Sequence, residues 1–145
     1  MDALETLWLF VNEPPVNPMN GPLSRAHWSA KRQWSMRLRR ATWRAMFNLE
    51  QSKHRWFLQP HEPRRVRFEL LVARLFDDDA LAPACKPIRD ALLGMPVGGI
   101  TLCALIHDDS PRSGHVFAYA QRPVRRSEPR GFWITLSPIG VAAKL

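Results

Sequence analysis

The sequence predicts an α+β fold, a small mixed β-sheet with helices packed against it. Three observations lead there. Hydrophobic residues make up 46% of the 145 and charged residues 23%, a balance that builds a packed core and is far from that of a disordered chain. Apolar runs of strand length alternate with longer stretches free of Gly and Pro, in the order β, α, β, α, β, β. Clusters of Pro, Gly and Asn punctuate them. The length suits one ordinary domain spanning 1–145.

Leu4 to Val11 is rich in β-formers and stops at Asn12-Glu13-Pro14-Pro15, which predicts a strand. Four prolines, three asparagines and a glycine between Asn12 and Ser24 predict a loop. Neither Gly nor Pro interrupts Ser24 to Lys53, so a long helix is expected, with Ser24 as its N-cap. On it Trp28, Arg32, Ser35 and Arg39 form one side and Trp34, Leu38, Ala41 and Ala45 another, a basic face and an apolar face. Arg65 to Phe76 alternates and then turns apolar, predicting a strand that runs straight into Asp77-Asp78-Asp79. A helix over Ala80 to Leu93, ended by Gly94, follows. Pro83 and Pro87 fall inside it, where each removes a backbone donor. After the Pro96, Gly98 and Gly99 break, Ile100 to Ile106 fits a buried strand or a helical turn. His115 to Gln121 and Gly131 to Leu136 read as strands of a terminal hairpin, joined by a basic loop with Arg122, Arg125, Arg126 and Arg130.

Charge narrows the function classes. Lys and Arg number 21 against 13 Asp and Glu, a net +8, so a polyanion is the natural partner. Twelve of the bases lie between Arg25 and Arg67, where the only acids are Glu50 and Glu62. Six of the acids are Asp77, Asp78, Asp79, Asp90, Asp108 and Asp109. No apolar run is long enough for a membrane span and no signal-peptide pattern opens the chain, so a cytoplasmic protein is expected. The histidines lack metal-binding spacing and no Gly-rich phosphate loop occurs, which argues against a nucleotide cofactor. Cys85 and Cys103 lack zinc-site spacing and read as buried thiols.

Three consecutive aspartates followed by a second acidic pair repel one another unless a cation offsets them. Mg²⁺ takes hard oxygen ligands, commonly one or two carboxylates plus water and phosphate. On an extended strand end Asp77 and Asp79 would share a side and Asp78 would face the other. A lone Asp triplet reads more simply as a solvated turn or a helix cap. The second pair, the intervening Lys86 and the basic helix favour a metal-dependent site on DNA.

The run from Asp77-Asp78-Asp79-Ala80-Leu81 through Lys86-Pro87-Ile88 and Asp90-Ala91-Leu92, followed by His107-Asp108-Asp109-Ser110, resembles the RusA family of Holliday-junction resolvases. The stretch from Pro22 to Ser24 and His27-Trp28, with the bases after it, is similar to that family's N-terminal segment. Ala80 stands where the family has Asn. The resemblance implies that Asp77, Asp79 and Asp109 are the catalytic acids binding Mg²⁺, with Asp108 a further candidate ligand. It implies that Lys86 is a catalytic base or a clamp on the scissile phosphate. It also implies a small α+β homodimer that resolves four-way junctions in branched DNA by paired symmetric nicks; a non-catalytic DNA-binding relative of the same fold is the alternative. The residues expected on DNA are Arg25, Trp28, Lys31, Arg32, Arg39, Arg40, Arg125 and Arg126. Of the six tryptophans, Trp28 and Trp34 sit among bases and are expected to contact bases of the nucleic acid, whereas Trp8, Trp43, Trp56 and Trp133 are expected in the core. His107 beside Asp108 is a structural residue or a proton shuttle.

Overall fold

The computed structural model describes residues 6–139. Four strands form one sheet: β1 (Leu7–Val11), β2 (Arg64–Val72), β5 (Val116–Pro123) and β6 (Gly131–Pro138), in the order β1-β6-β2-β5. β6 is antiparallel to β1 and to β2, and β2 is parallel to β5, so the sheet is mixed as expected. The terminal hairpin is not formed. β2 lies between β5 and β6, and the parallel β2–β5 pair is joined through helix α3 (Leu81–Leu92), the crossover that a parallel pair requires. Burial explains which strand sits inside. Gly131, Phe132, Ile134 and Leu136 of β6 are buried, while β5 exposes Val116, Arg122 and Pro123.

Helices α1 (Trp28–Phe47) and α3 cover one face of the sheet, whose buried rows include Leu7, Leu9 and Val11, Val66, Phe68 and Leu70, and Ile134 and Leu136. A one-turn helix, α2 (Arg55–Leu58), inserts Trp56 into the same core. The alternation of β2 sends Arg65, Arg67 and Glu69 to the opposite face. There Arg67 and Arg122 flank Glu69 at 3.3 and 3.7 Å.

Several boundaries shift for local reasons. Leu4 lies outside the described residues, and the first strand begins at Leu7. Ser24 is not the N-cap of α1. It belongs to a 3-10 turn (Pro22–Arg25) and donates its hydroxyl to Gly21 O, while His27 caps α1 by accepting from Ser29 N at 3.3 Å. The helix ends at Phe47, short of Lys53. β2 stops at Val72 because its ladders run out: its last partner in β5 is Pro123, and β6 begins at Gly131 opposite Leu71. Residues 73–77 therefore leave the sheet. Pro83 fits α3 because it falls in the first turn, whose N–H groups have no partner within the helix. Pro87 lies deeper and is buried.

The segment after Gly94 is a small hairpin, β3 (Met95–Val97) and β4 (Ile100–Leu102), turning at Gly98-Gly99. β4 is exposed rather than buried; only Leu105 and Ile106 from the expected apolar run enter the core. Gly94 is required where α3 meets the hairpin. Its φ is 99°, and a Cβ there would stand 2.5 Å from Thr101 Cγ2 and 2.7 Å from Leu102 O. Among the described residues no helix is long and apolar enough to cross a membrane.

Candidate functional site

The three aspartates stand where residues 73–77 turn into α3. Gln121 of β5 fixes this connection by accepting from Phe76 N at 2.8 Å and donating to Phe76 O at 2.7 Å. Asp77 is the extended residue before a 3-10 turn (Asp78–Ala80) that leads directly into α3. The alternating-strand argument for Asp77 and Asp79 therefore fails, because the strand has ended five residues earlier, at Val72. None of the three side chains makes a capping bond, and all are exposed. Their charges still favour the N-terminal end of the helix. Ala80 is fully buried.

One and two turns along α3 the pattern reverses, and every charge has a partner. Lys86 Nζ lies 2.6 Å from Asp90 Oδ1 and 3.4 Å from Asp109 Oδ2. Arg89 Nε is 3.4 Å from the same Asp109 oxygen, and Arg39 Nη2 reaches Asp90 Oδ2 at 3.1 Å from α1. Arg89 is further held by donating to Tyr119 Oη at 2.7 Å, with its guanidinium 5.1 Å from the Phe117 ring. Three cations thus grip two carboxylates. The hydrogen bond to Asp90, with the charges of Asp90 and Asp109, pushes the Lys86 ammonium above its ordinary pKa.

Lys86 and Asp109, expected in one site, are therefore together. Asp77 and Asp79 are offset from them: Asp79 stands seven positions before Lys86, roughly 10 Å along the axis. Among the described residues no three His, Cys, Asp or Glu side chains are grouped to share one ion. Asp108 faces its own turn, accepting from Ser110 N at 3.1 Å and from the Ser110 hydroxyl. Those bonds hold its carboxyl below the usual range.

Behind Asp108 lies a polar cluster that spacing in the sequence does not reveal. Arg64 N donates to His115 Nδ1 at 3.1 Å, which leaves Nε2 as the protonated nitrogen of a neutral ring. His115 Nε2 meets His107 Nδ1 at 3.1 Å. Burial, then the neighbouring His107 and Arg64, lowers the pKa of His115. Arg64 is buried with no carboxylate partner among the described residues: it donates to Leu105 O and, at 2.8 Å, to Gln59 O, with its guanidinium 4.7 Å from the Trp56 ring. Burial lowers its pKa to about 10 despite Glu62. His115 thus belongs to the packing of the β2 entrance, with the exposed His107 at its edge.

The basic surface is arranged differently from the sequence reading. Arg39 turns toward α3 and is occupied by Asp90. Trp34 packs against the core, whereas Trp8 is 58% exposed and stands edge-on to Trp133. Trp43 and Trp56 are core residues as expected, Trp43 donating to Ala91 O at 3.0 Å. Trp28 is 65% exposed. The exposed arginines of α1 are Arg32, Arg37, Arg40 and Arg44, which with Trp28 line an open groove of about 580 Å³. Arg37 and Arg44 are not among the residues singled out from the sequence, though they stand three before and four after Arg40 and so share its face. Arg25 and Lys31 are exposed near the start of α1. Arg125 and Arg126 are exposed in the β5–β6 loop, which leaves the sheet where Val124 N donates to Val72 O at 2.8 Å. That is the end of the sheet from which residues 73–77 lead to the three aspartates.

Comparison with known families and curated proteins gives no match: no family model fits the chain, and no curated protein aligns significantly with it.

Proposed function

We propose that this chain is a Mg²⁺-dependent endodeoxyribonuclease of RusA-like fold, cutting four-way junctions and other branched DNA as a homodimer, in the cytoplasm, during recombination and repair. The observation that carries this reading is the contact of Lys86 with Asp109, 3.4 Å apart although 23 residues separate them in sequence. Resemblance assigns both to one site. The fold supports it by holding Asp109 against α3, the helix that follows directly on Asp77 to Asp79.

The donor chemistry fits the metal. Among the described residues Asp77 and Asp79 have no ion-pair partner for their carboxylate oxygens, and Mg²⁺ needs only one or two such groups beside water and phosphate. When bound, the ion supplies an activated water and stabilises the leaving oxygen. The residues of the chain do the rest. Asp77 and Asp79 would hold the ion, and Asp109, paired with Lys86 and Arg89 farther along α3, would join them only once those contacts open. Lys86, kept protonated by Asp90 and Asp109, acts as a cation beside the phosphoryl oxygens rather than as a base. Arg25, Lys31 and the Arg125–Arg126 loop attract the DNA backbone without reading sequence.

A second reading is a DNA-binding protein of this fold without catalysis. One observation favours it: Asp109 is already neutralised by Lys86 and Arg89, so using it as a metal ligand requires those contacts to open. A labelled synthetic four-way junction and a matched linear duplex, incubated with Mg²⁺ or EDTA, separate the two readings. Junction cleavage in Mg²⁺ alone is the outcome the nuclease reading expects, and binding without cleavage in either condition is the outcome of the other.

A further inference from the structure

We infer that the groove along α1 is a track for one strand of single-stranded DNA, with Trp28 as its base-stacking end. This deepens the reading above by naming the form of DNA the molecule holds; it rests on that reading for cleavage but not for binding.

The first observation is the absence of counter-charge. Arg32, Arg37, Arg40 and Arg44 line the groove, and Glu13 is the one acid among its lining residues. Among the described residues none of the four arginines makes an ion pair, whereas Arg39 on the same helix, Lys86 and Arg89 all do. Four like charges held at close range on one helix are destabilising on their own. A polyanion relieves that repulsion.

The second observation is spacing. At 1.5 Å rise per residue the arginine positions fall at about 0, 7.5, 12 and 18 Å along the axis. That is a row of single charges at intervals comparable with the distance between successive phosphates of one strand. A strand lying along the helix can meet one guanidinium per phosphate or nearly so. The lining is concave, closed on one side by Glu13 just after β1, which suits a thin strand better than the broad convex surface of a duplex.

The third observation distinguishes nucleic acid from other polyanions. Trp28, one turn before Arg32, continues the row of arginines and is 65% exposed, tilted 42° to the His27 ring at 5.4 Å. An indole left in water beside a row of phosphate-binding groups offers a flat surface to an unpaired base. Stacking of this kind tolerates any base and is worth about 1–3 kcal/mol, or roughly 5- to 150-fold in affinity. Met36, between Arg32 and Arg40, gives the floor an adaptable apolar surface.

The test is equilibrium binding of the full chain to a fluorescein-labelled oligothymidine of twelve nucleotides and to a duplex of the same length, in EDTA, across a salt series. The oligothymidine should bind more tightly than the duplex at each salt concentration. Its log K should fall with log salt at about 0.7 per phosphate contacted, and Arg40→Gln and Arg37→Gln should each reduce that slope by close to one contact. Trp28→Ala should weaken the oligothymidine by at least about fivefold and the duplex far less, and Trp28→Phe should restore most of the loss. Far-ultraviolet circular dichroism verifies that each variant is folded. Equal or tighter duplex binding, or unchanged affinity in Trp28→Ala, would overturn the inference, and so would a salt slope unaffected by both arginine substitutions. Strand binding that persists without any Mg²⁺-dependent cleavage would support it and remove the nuclease reading alone.

Discussion

The two helices that cover the sheet hold their charge in opposite ways. Along α3 and its neighbours, Lys86, Arg89 and Arg39 are bound to Asp90 and Asp109 in one network. Along the outer side of α1, four arginines face a groove without an ion pair among the described residues. The difference teaches that net charge alone does not locate a binding surface. A cation that already has a carboxylate tightens the fold, and a cation without one is available to a ligand. Arg39 and Arg40 are adjacent in sequence and fall on opposite sides of that division.

A graded series of arginine substitutions would break or sharpen this division. Arg64→Met should have the largest effect on stability, because it leaves the buried carbonyl of Leu105 without its donor and removes the part-buried bond to Gln59 O. A loss of about 2–4 kcal/mol in urea unfolding is expected. The same protein should show acid sensitivity through His115, whose pKa is depressed from 6.5 by burial and by His107 and Arg64. Its folded form binds a proton less readily than its unfolded form. The stabilisation is therefore full above about pH 6.5 and is lost as pH falls through the folded value, with Asp108 opposing the loss. Denaturation midpoints between pH 7 and 5 measure it, and His115→Gln should flatten the slope.

Arg39→Ala comes next. Its pair with Asp90 is partly exposed, so a double-mutant cycle should give at most about 1 kcal/mol. Arg40→Ala should leave stability within about 0.5 kcal/mol while lowering DNA affinity. If Arg39→Ala weakens DNA binding as much as Arg40→Ala at equal stability, the distinction between paired and free cations fails. The proposed dimer has its own check in equilibrium sedimentation: a monomer persisting at micromolar concentration with and without junction DNA removes the basis for paired nicks.

Much of the fold was legible because the relevant signals are local. The apolar runs around Leu9, Phe68 and Ile134 mark three strands, and Gly94 marks the end of α3. Strand order was not legible, because hairpin proximity in sequence suggests that β5 and β6 pair, whereas the fully apolar inward row of β6 claims the centre between β1 and β2. The end of β2 depends on where Pro123 and Gly131 fall in its neighbours, which no reading of β2 alone provides. For the site, the acidic motifs and Lys86 stand out by composition. Their partners do not: Gln121, which pins Phe76, and Arg89, which holds Asp109, come from elements whose registers only tertiary structure sets. Arg39 was misplaced because the buried side of α1 is fixed by contact with α3, not by helical period alone, whereas Trp34 lies on the apolar side that the period marks and was misplaced by its basic neighbours.

The most direct test of the account is cleavage of a synthetic four-way junction in Mg²⁺ by the wild-type chain, Asp79→Asn and Lys86→Ala. Asn keeps the shape of the side chain and removes one negative charge, so it weakens the hold on the ion and lessens repulsion of the backbone phosphates. The wild type should cut in Mg²⁺ and not in EDTA. Asp79→Asn should lose at least about 100-fold in rate while binding the junction as well as or better than the wild type, and Lys86→Ala should lose roughly tenfold or more by removing the cation beside the phosphoryl oxygens. Equal cleavage by the wild type and Asp79→Asn would contradict the assignment of the aspartates, and a wild type that binds the junction but never cuts it would contradict the nuclease reading itself.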